Sequence, residues 1–262
     1  MSSAAGPSTE DLQHSRYFLT EWMPPLLREI AERDPPRVLA DLGAGDGGTL
    51  WPLDHAGLVG ETIYAVDISA QHVALCERLS SKVRGIVSDV ARVDELPDAS
   101  VDAVVSSQVI EHLPDDRVLV PEIARLLRPG GWFYVSSVVR GPRAFWFRKG
   151  KPPAPPRWQL DPTHMREYAS EEQFRAALEH PQLEIELVRS AQLKFPLTDP
   201  LLRAASVARL ISRDDLPEIY LRLPLPLRRL RRAIGVPIPG YRWVEATGRK
   251  RRQDEATPEG RS

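Results

Sequence analysis

The stretch that most constrains this chain is Val38-Leu39-Ala40-Asp41-Leu42, followed at once by Gly43-Ala44-Gly45-Asp46-Gly47-Gly48. A continuous apolar run is the signature of a strand covered on both faces, which is a strand of a parallel sheet. Its C-terminal end passes into a turn almost bare of side chains, where a ligand can lie against backbone. The Gly43-x-Gly45-x-x-Gly48 spacing is a weak signal alone. The residues at the ends of the following strands decide what it means.

The remainder repeats the same alternation. Strands are expected at 37–41, 62–67, 83–87, 101–106 and 132–138. Helices are expected from about Gly47, over 69–80 with Ser69 as N-cap, and over 115–127 with Asp115 as cap. Strand after helix after strand implies a parallel sheet with helices on both faces. A preceding amphipathic helix over 15–33 carries Tyr17, Phe18, Trp22, Leu26, Leu27 and Ile30 as its apolar stripe and stops at Pro35-Pro36. Beyond Val139 a Pro- and Arg-rich loop runs from 140 to 162. A helix over 170–179 has Ser170 and Gln173 in the arrangement of a capping box. Strands over Leu183–Leu193 and Tyr241–Gly248 follow, with two or three short helices between them.

With 262 residues the chain is long enough for one elaborated α/β domain. The organisation read from it is an N-terminal tail and helix over 1–35, and a core over 36–193 plus 239–250. A lid insertion occupies 194–238 and a disordered tail 251–262. The single cysteine, Cys76, excludes an internal disulfide framework and suits a reducing compartment. Neither a leader-like N-terminus nor a stretch of membrane-spanning length is seen, so a cytoplasmic protein is expected.

Four strand ends carry telling residues: Asp41 with the glycine turn, Asp67-Ile68, Ser88-Asp89-Val90, and Ser106-Ser107-Gln108-Val109-Ile110-Glu111-His112. Over about residues 36–180 this series resembles the class I S-adenosylmethionine-dependent methyltransferases, with Leu127-Arg128-Pro129-Gly130-Gly131 matching the turn before the fifth strand. The resemblance implies an α/β, Rossmann-like, seven-stranded, mostly parallel sheet, with S-adenosyl-L-methionine as cofactor. It implies that Asp67 holds both ribose hydroxyls and that Asp89 meets the adenine amino group. The cofactor-binding set it predicts is Asp41, Gly43, Gly45, Gly47, Asp67, Ile68, Asp89, Val90 and Gln108. The chemistry agrees. Amides of Gly43 to Gly47 and the helix dipole are expected to take the cofactor carboxylate. Asp67, with two acceptor oxygens, suits a vicinal diol. A nicotinamide dehydrogenase also uses a glycine turn and a later acid, but requires neither Asp41 nor Asp89.

On the acceptor side, Glu111 and His112 follow the fourth strand, and His164 lies in Asp161-Pro162-Thr163-His164-Met165-Arg166-Glu167-Tyr168. The second cluster resembles the acceptor-lining Asp-x-x-His-x-Arg segment of small-molecule methyltransferases. Glu111, His112 and His164 are the candidate catalytic residues, set against a plain reading in which Asp161 pairs with Arg166 at a loop-to-helix junction. Ubiquinone-pathway O-methyltransferases and small-RNA 2′-O-methyltransferases read Glu-x-x-Glu-His here, where the acids and histidine can bind a divalent metal. This chain has Gln108 at the first position, so no metal is expected. The absence of Asn/Asp-Pro-Pro-Tyr/Phe and Pro-Cys motifs argues against adenine-N6, glutamine-N5 and cytosine-C5 chemistry. The expected reaction is O-methylation of a small-molecule acceptor. Its alternatives are an RNA or lipid-linked acceptor, or a catalytically silent cofactor-binding subunit. Basic residues dominate 222–252 against the single acid Glu245. Peripheral contact with anionic lipid stays open on that ground, while nucleic acid is disfavoured for want of a binding module. The oligomeric state is not legible.

Overall fold

The computed structural model describes residues 23–144, 148–149, 158–161, 163–196, 226 and 235–252. Helix α1 spans Pro25–Arg33, with proline at its first position, where a missing N–H costs nothing. Strand β1 (Val38–Leu42) leads into α2 (Leu50–His55), and β2 (Thr62–Asp67) into α3 (Ala70–Leu79). Strand β3 (Val83–Val87) and β4 (Val101–Ser107) follow. Two single turns of 3₁₀ helix, Ile110–His112 and Asp116–Val118, then precede α4 (Leu119–Leu126). Next come β5 (Leu127–Arg140), the two-residue strands β6 (Arg148–Lys149) and β7 (Trp158–Gln159), and α5 (Glu171–Ala177). The long strands β8 (Leu183–Pro196) and β9 (Gly235–Lys250) complete the order.

Seven strands form one sheet in the order β3-β2-β1-β4-β5-β9-β8. Strands β1 to β5 pair in parallel, and β9 runs antiparallel to both β5 and β8. The chain reverses its direction of travel across the sheet between β1 and β4, and a crevice opens beyond such a switch point. Alternate strand residues feed two cores. Leu39, Ile63, Ala65 and Val105 pack with α1, α2 and α3 through Leu27, Ile30, Leu50, Leu53 and Cys76. Ala40, Leu42, Val66 and Val104 pack on the other face with Leu119, Ile123, Leu126 and Phe174. This double burial is why β1 reads as unbroken apolar sequence.

The predicted caps form. Ser69 Oγ accepts from His72 N, Asp115 Oδ1 from Arg117 N, and Ser170 Oγ from Gln173 N. Gln173 Oε1 accepts from Ala169 N, one residue before the cap itself. Three boundaries differ from expectation. Helix α2 starts at Leu50 rather than Gly47, because Gly47 has φ +84° and the turn continues past it. The lid limits of 194 and 238 fall inside paired strand, since Lys194 pairs with Pro237 and Pro196 with Gly235. Strand β9 carries Pro237, Pro239 and Gly240 through an irregularity around Gly240, which has φ +72°. Gln192 Nε2 bridges it by donating to the carbonyls of Ile238 and Tyr241 at 2.8 and 3.0 Å. The core also reaches past 250, for Arg251 N donates to Gln182 O. Tyr17, Phe18 and Trp22, the short helices expected between the last two strands, and the tail beyond 252 lie outside the described residues.

Candidate active site

The cofactor side is built at the C-terminal ends of β1, β2 and β3. Asp41 is buried, its Oδ2 has no hydrogen-bond partner, and its pKa is pushed up to about 7 by burial and then by Asp67. Asp67 Oδ2 accepts from Gly45 N and its Oδ1 from Ser69 N, both at 2.9 Å, with His72 Nδ1 at 3.3 Å. Asp67 therefore shapes the glycine turn as well as facing the crevice.

The three glycines do different work. A methyl group at Gly45 would meet nothing within 4 Å, so bare backbone opens onto space there. Gly43 and Gly47, by contrast, are closed over by the side chains of Val109 and Leu79. Packing and positive φ both favour glycine at these two positions. Of the loop amides expected to take the cofactor carboxylate, four are engaged within the protein. Gly43 N and Ala44 N both donate to Val66 O, Gly45 N to Asp67, and Gly47 N to Ala44 O. The six residues of α2 also make a weak dipole.

Ile68 is 77% exposed, and Val87, which the sequence reading passed over, is 53% exposed. Val87 is the register partner of Asp67 on the adjoining strand, so two uncovered apolar side chains flank the acid. Asp89 is exposed and its Oδ1 accepts from Ala91 N, whereas the Val90 side chain belongs to the core. Gln108 has φ +59°, a conformation rare for a residue with a side chain, and its buried Nε2 has no partner. An unpaired buried acid, an open backbone position, an uncovered apolar pair and an unpaired amide together fit a polar, cationic ligand that carries a flat base.

The acceptor side adjoins it through two contacts. Ser106 Oγ donates to Leu42 O at 2.9 Å, and Val109 covers Gly43. Just beyond, Glu111 is wholly buried. Its Oε2 accepts from Ser137 Oγ at 2.9 Å, while Oε1 has no hydrogen-bond partner. Burial pushes its pKa up to about 7 against the opposing pull of His164. Its backbone carbonyl accepts from Met165 N and Arg166 N, which fastens the 161–168 segment over β4. The His112 and His164 rings meet edge to face at 4.9 Å. Burial, then the neighbouring His164, lowers the His112 pKa.

One ligand-capable atom from each of Glu111, His112 and His164 lies within 4.8 Å of the others. In sequence these groups lie on two separate segments, and the structure brings them together. The geometry also weakens the argument against a metal from Gln108, because three donors converge without that position. The proposed Asp161–Arg166 pair does not form. Asp161 Oδ1 accepts from Thr163 N and Oγ1, while Arg166 donates to Pro114 O and pairs with Asp116 at 3.4 Å.

The fold is that of the class I, Rossmann-like methyltransferases. Residues 40–135 match the methyltransferase domain family, and relatives over this part of the chain are named S-adenosylmethionine-dependent methyltransferases. A "probable S-adenosylmethionine-dependent methyltransferase" of Mycobacterium tuberculosis is 33% identical over 145 residues, covering 55% of this chain and 48% of that protein. A ubiquinone biosynthesis O-methyltransferase of Paracidovorax citrulli is 35% identical over 115 residues, covering 42% and 47%. The chain thus spans about half the length of these relatives. Among solved structures, YcgJ of Bacillus subtilis superposes with a TM-score of 0.56 at 18% identity, over 87% of this chain and 97% of that one. The [4+2]-cyclase SpnF gives 0.57 at 22%, over 86% and 80%. These likenesses establish the fold, which does not by itself fix a reaction. No helix among the described residues is long and apolar enough to cross a membrane.

Proposed function

We propose that the domain transfers the methyl group of S-adenosyl-L-methionine to a hydroxyl oxygen of a small molecule. The cofactor, when bound, supplies a methyl group activated on a sulfonium. Asp67, Asp41 and Gln108 are the polar groups that would hold it, with Ile68 and Val87 against its base. The chain's remaining task is to hold the acceptor in line and to take its proton as the methyl group arrives. Glu111, His112 and His164 are the groups assigned to that proton. The observation that carries this reading is their convergence within 4.8 Å from two segments, next to Val109, which covers Gly43 of the glycine turn. The likeness to ubiquinone biosynthesis O-methyltransferases supports oxygen as the nucleophile. A cytoplasmic setting fits the single, buried Cys76.

The test is substitution once an acceptor is in hand. His112→Ala and His164→Ala should lower kcat by about 10²–10⁴-fold for the true base, while S-adenosylhomocysteine affinity holds. Full activity in both variants contradicts the assignment. The same convergence favours a second reading, in which the triad holds a divalent cation that acidifies the hydroxyl. Two imidazoles and one carboxylate suit zinc or manganese better than magnesium. EDTA leaves turnover unchanged under the first reading. Under the second it abolishes turnover, and added metal restores it.

A further inference from the structure

Glu167 has no part in the reading above, yet it is the most heavily engaged carboxylate near the site. Its side chain is fully buried. Oε1 accepts from Leu160 N at 2.8 Å and contacts His164 Nδ1 at 3.1 Å. Oε2 accepts from Tyr241 OH at 3.1 Å and lies 3.5 Å from Arg140 Nε. Arg140 closes β5 and Tyr241 belongs to β9, so two strands and the 158–168 segment meet on one carboxylate. A buried carboxylate gripped by this many donors is held in place. A carboxylate oxygen that accepts from Nδ1 requires the proton on Nδ1. The lone pair of a neutral His164 ring then resides on Nε2. His112 Nδ1 faces neutral oxygens instead, the Thr163 carbonyl and hydroxyl at 3.4 and 3.2 Å.

We infer that Glu167 is a positioning residue. It fixes His164 in the Nδ1–H tautomer and sets the ring so that Nε2 receives the acceptor proton, with Tyr241 and Arg140 keeping Glu167 in place. The inference rests on the methyl-transfer reading for its role, but its physical content is a tautomer that can be seen without an acceptor.

The experiment is a two-bond ¹H–¹⁵N correlation spectrum of the ¹⁵N-histidine-labelled protein at pH 8, alone and with S-adenosylhomocysteine. The His164 signals are assigned by their loss in His164→Gln. The expected spectrum shows a neutral ring protonated at Nδ1. Glu167→Gln should keep that tautomer, because its amide oxygen can still accept from Nδ1. Glu167→Ala should lose it to a solution-like mixture. With an acceptor in hand, Glu167→Ala should cut kcat by about 10–100-fold, leave S-adenosylhomocysteine affinity unchanged, and be partly rescued by Glu167→Gln. A wild-type His164 protonated at Nε2, or at both nitrogens, overturns the inference. So does a Glu167→Ala ring that keeps the Nδ1–H form. Should Glu167→Ala not fold, the wild-type and Glu167→Gln spectra decide. A correct tautomer without any methyl transfer would count against the proposed reaction and not against Glu167.

Discussion

Replacing Asp41 by Asn should change how the stability of the ligand-free protein responds to pH. Asp41 is 1% exposed, and burial, helped by Asp67, lifts its pKa from 3.8 to about 7. Between those two values the folded state binds a proton that the unfolded state has released. Stability from this group is therefore complete below about pH 4 and is lost as pH rises through 7. Integrating the difference from pH 5 to pH 8 gives a loss of about 2–3 kcal/mol. Asn removes the titration. It adds a constant cost of about 1–3 kcal/mol if its amide is left unpaired where Oδ2 now has no partner. Glu111 titrates in the same direction and remains in both proteins, so it cancels in the difference. Urea denaturation of the two apoproteins at half-unit steps from pH 5 to 8 gives that difference directly. It should shift in favour of Asp41→Asn by about 2–3 kcal/mol across the range. A gap that is flat with pH would show that Asp41 is ionised throughout, and the account of a carboxyl group kept neutral by burial would fail.

Other consequences follow from the same geometry. Asp67→Ala should abolish S-adenosylhomocysteine binding by calorimetry. It should also destabilise the fold by about 1–3 kcal/mol, because Gly45 N and Ser69 N lose their acceptor; unaltered binding would remove Asp67 from the site. Ile68→Ala should leave the melting temperature unmoved, as its side chain is uncovered. It should weaken S-adenosylhomocysteine by about 1–2 kcal/mol through lost apolar contact, and equal affinity would place the ligand elsewhere. Gly47→Ala should cost several-fold more stability in thermal melts than Gly45→Ala. Both glycines have positive φ, but only at Gly47 does an added methyl run into Leu79; equal losses would contradict the distinction drawn between them.

Much of this was legible in the chain because local signals and burial agree. Apolar runs marked β1 to β5, and Ser69, Asp115 and Ser170 announced their helices through short polar side chains that satisfy terminal N–H groups. The acids at the strand ends were legible because a parallel sheet places successive C-terminal ends along one edge. What escaped depends on contacts distant in sequence. The glycine spacing could not show that Gly43 and Gly47 face Val109 and Leu79 while Gly45 faces open space. The exposure of Val87 comes from its register beside Asp67, which no period in β3 reveals. Glu167 lies three residues from His164, a spacing that invites a contact, but its burial is created by Tyr241 and Arg140 from two other strands. Pro237, Pro239 and Gly240 stand inside β9 although such residues normally end strands. Here the Gln192 side chain supplies the bridging hydrogen bonds that carry β9 through.

The claim at the centre of the account is that this domain methylates a small molecule at the site formed by Glu111, His112 and His164. It is met most directly by incubating the protein with methyl-labelled S-adenosyl-L-methionine and three pools in parallel: a metabolite extract, total protein and transfer RNA. The account predicts label in a metabolite, as an ether or ester methyl, made by the wild-type protein and lost in His164→Ala. Label in protein or transfer RNA alone, or metabolite labelling that survives both histidine substitutions at full rate, would contradict it.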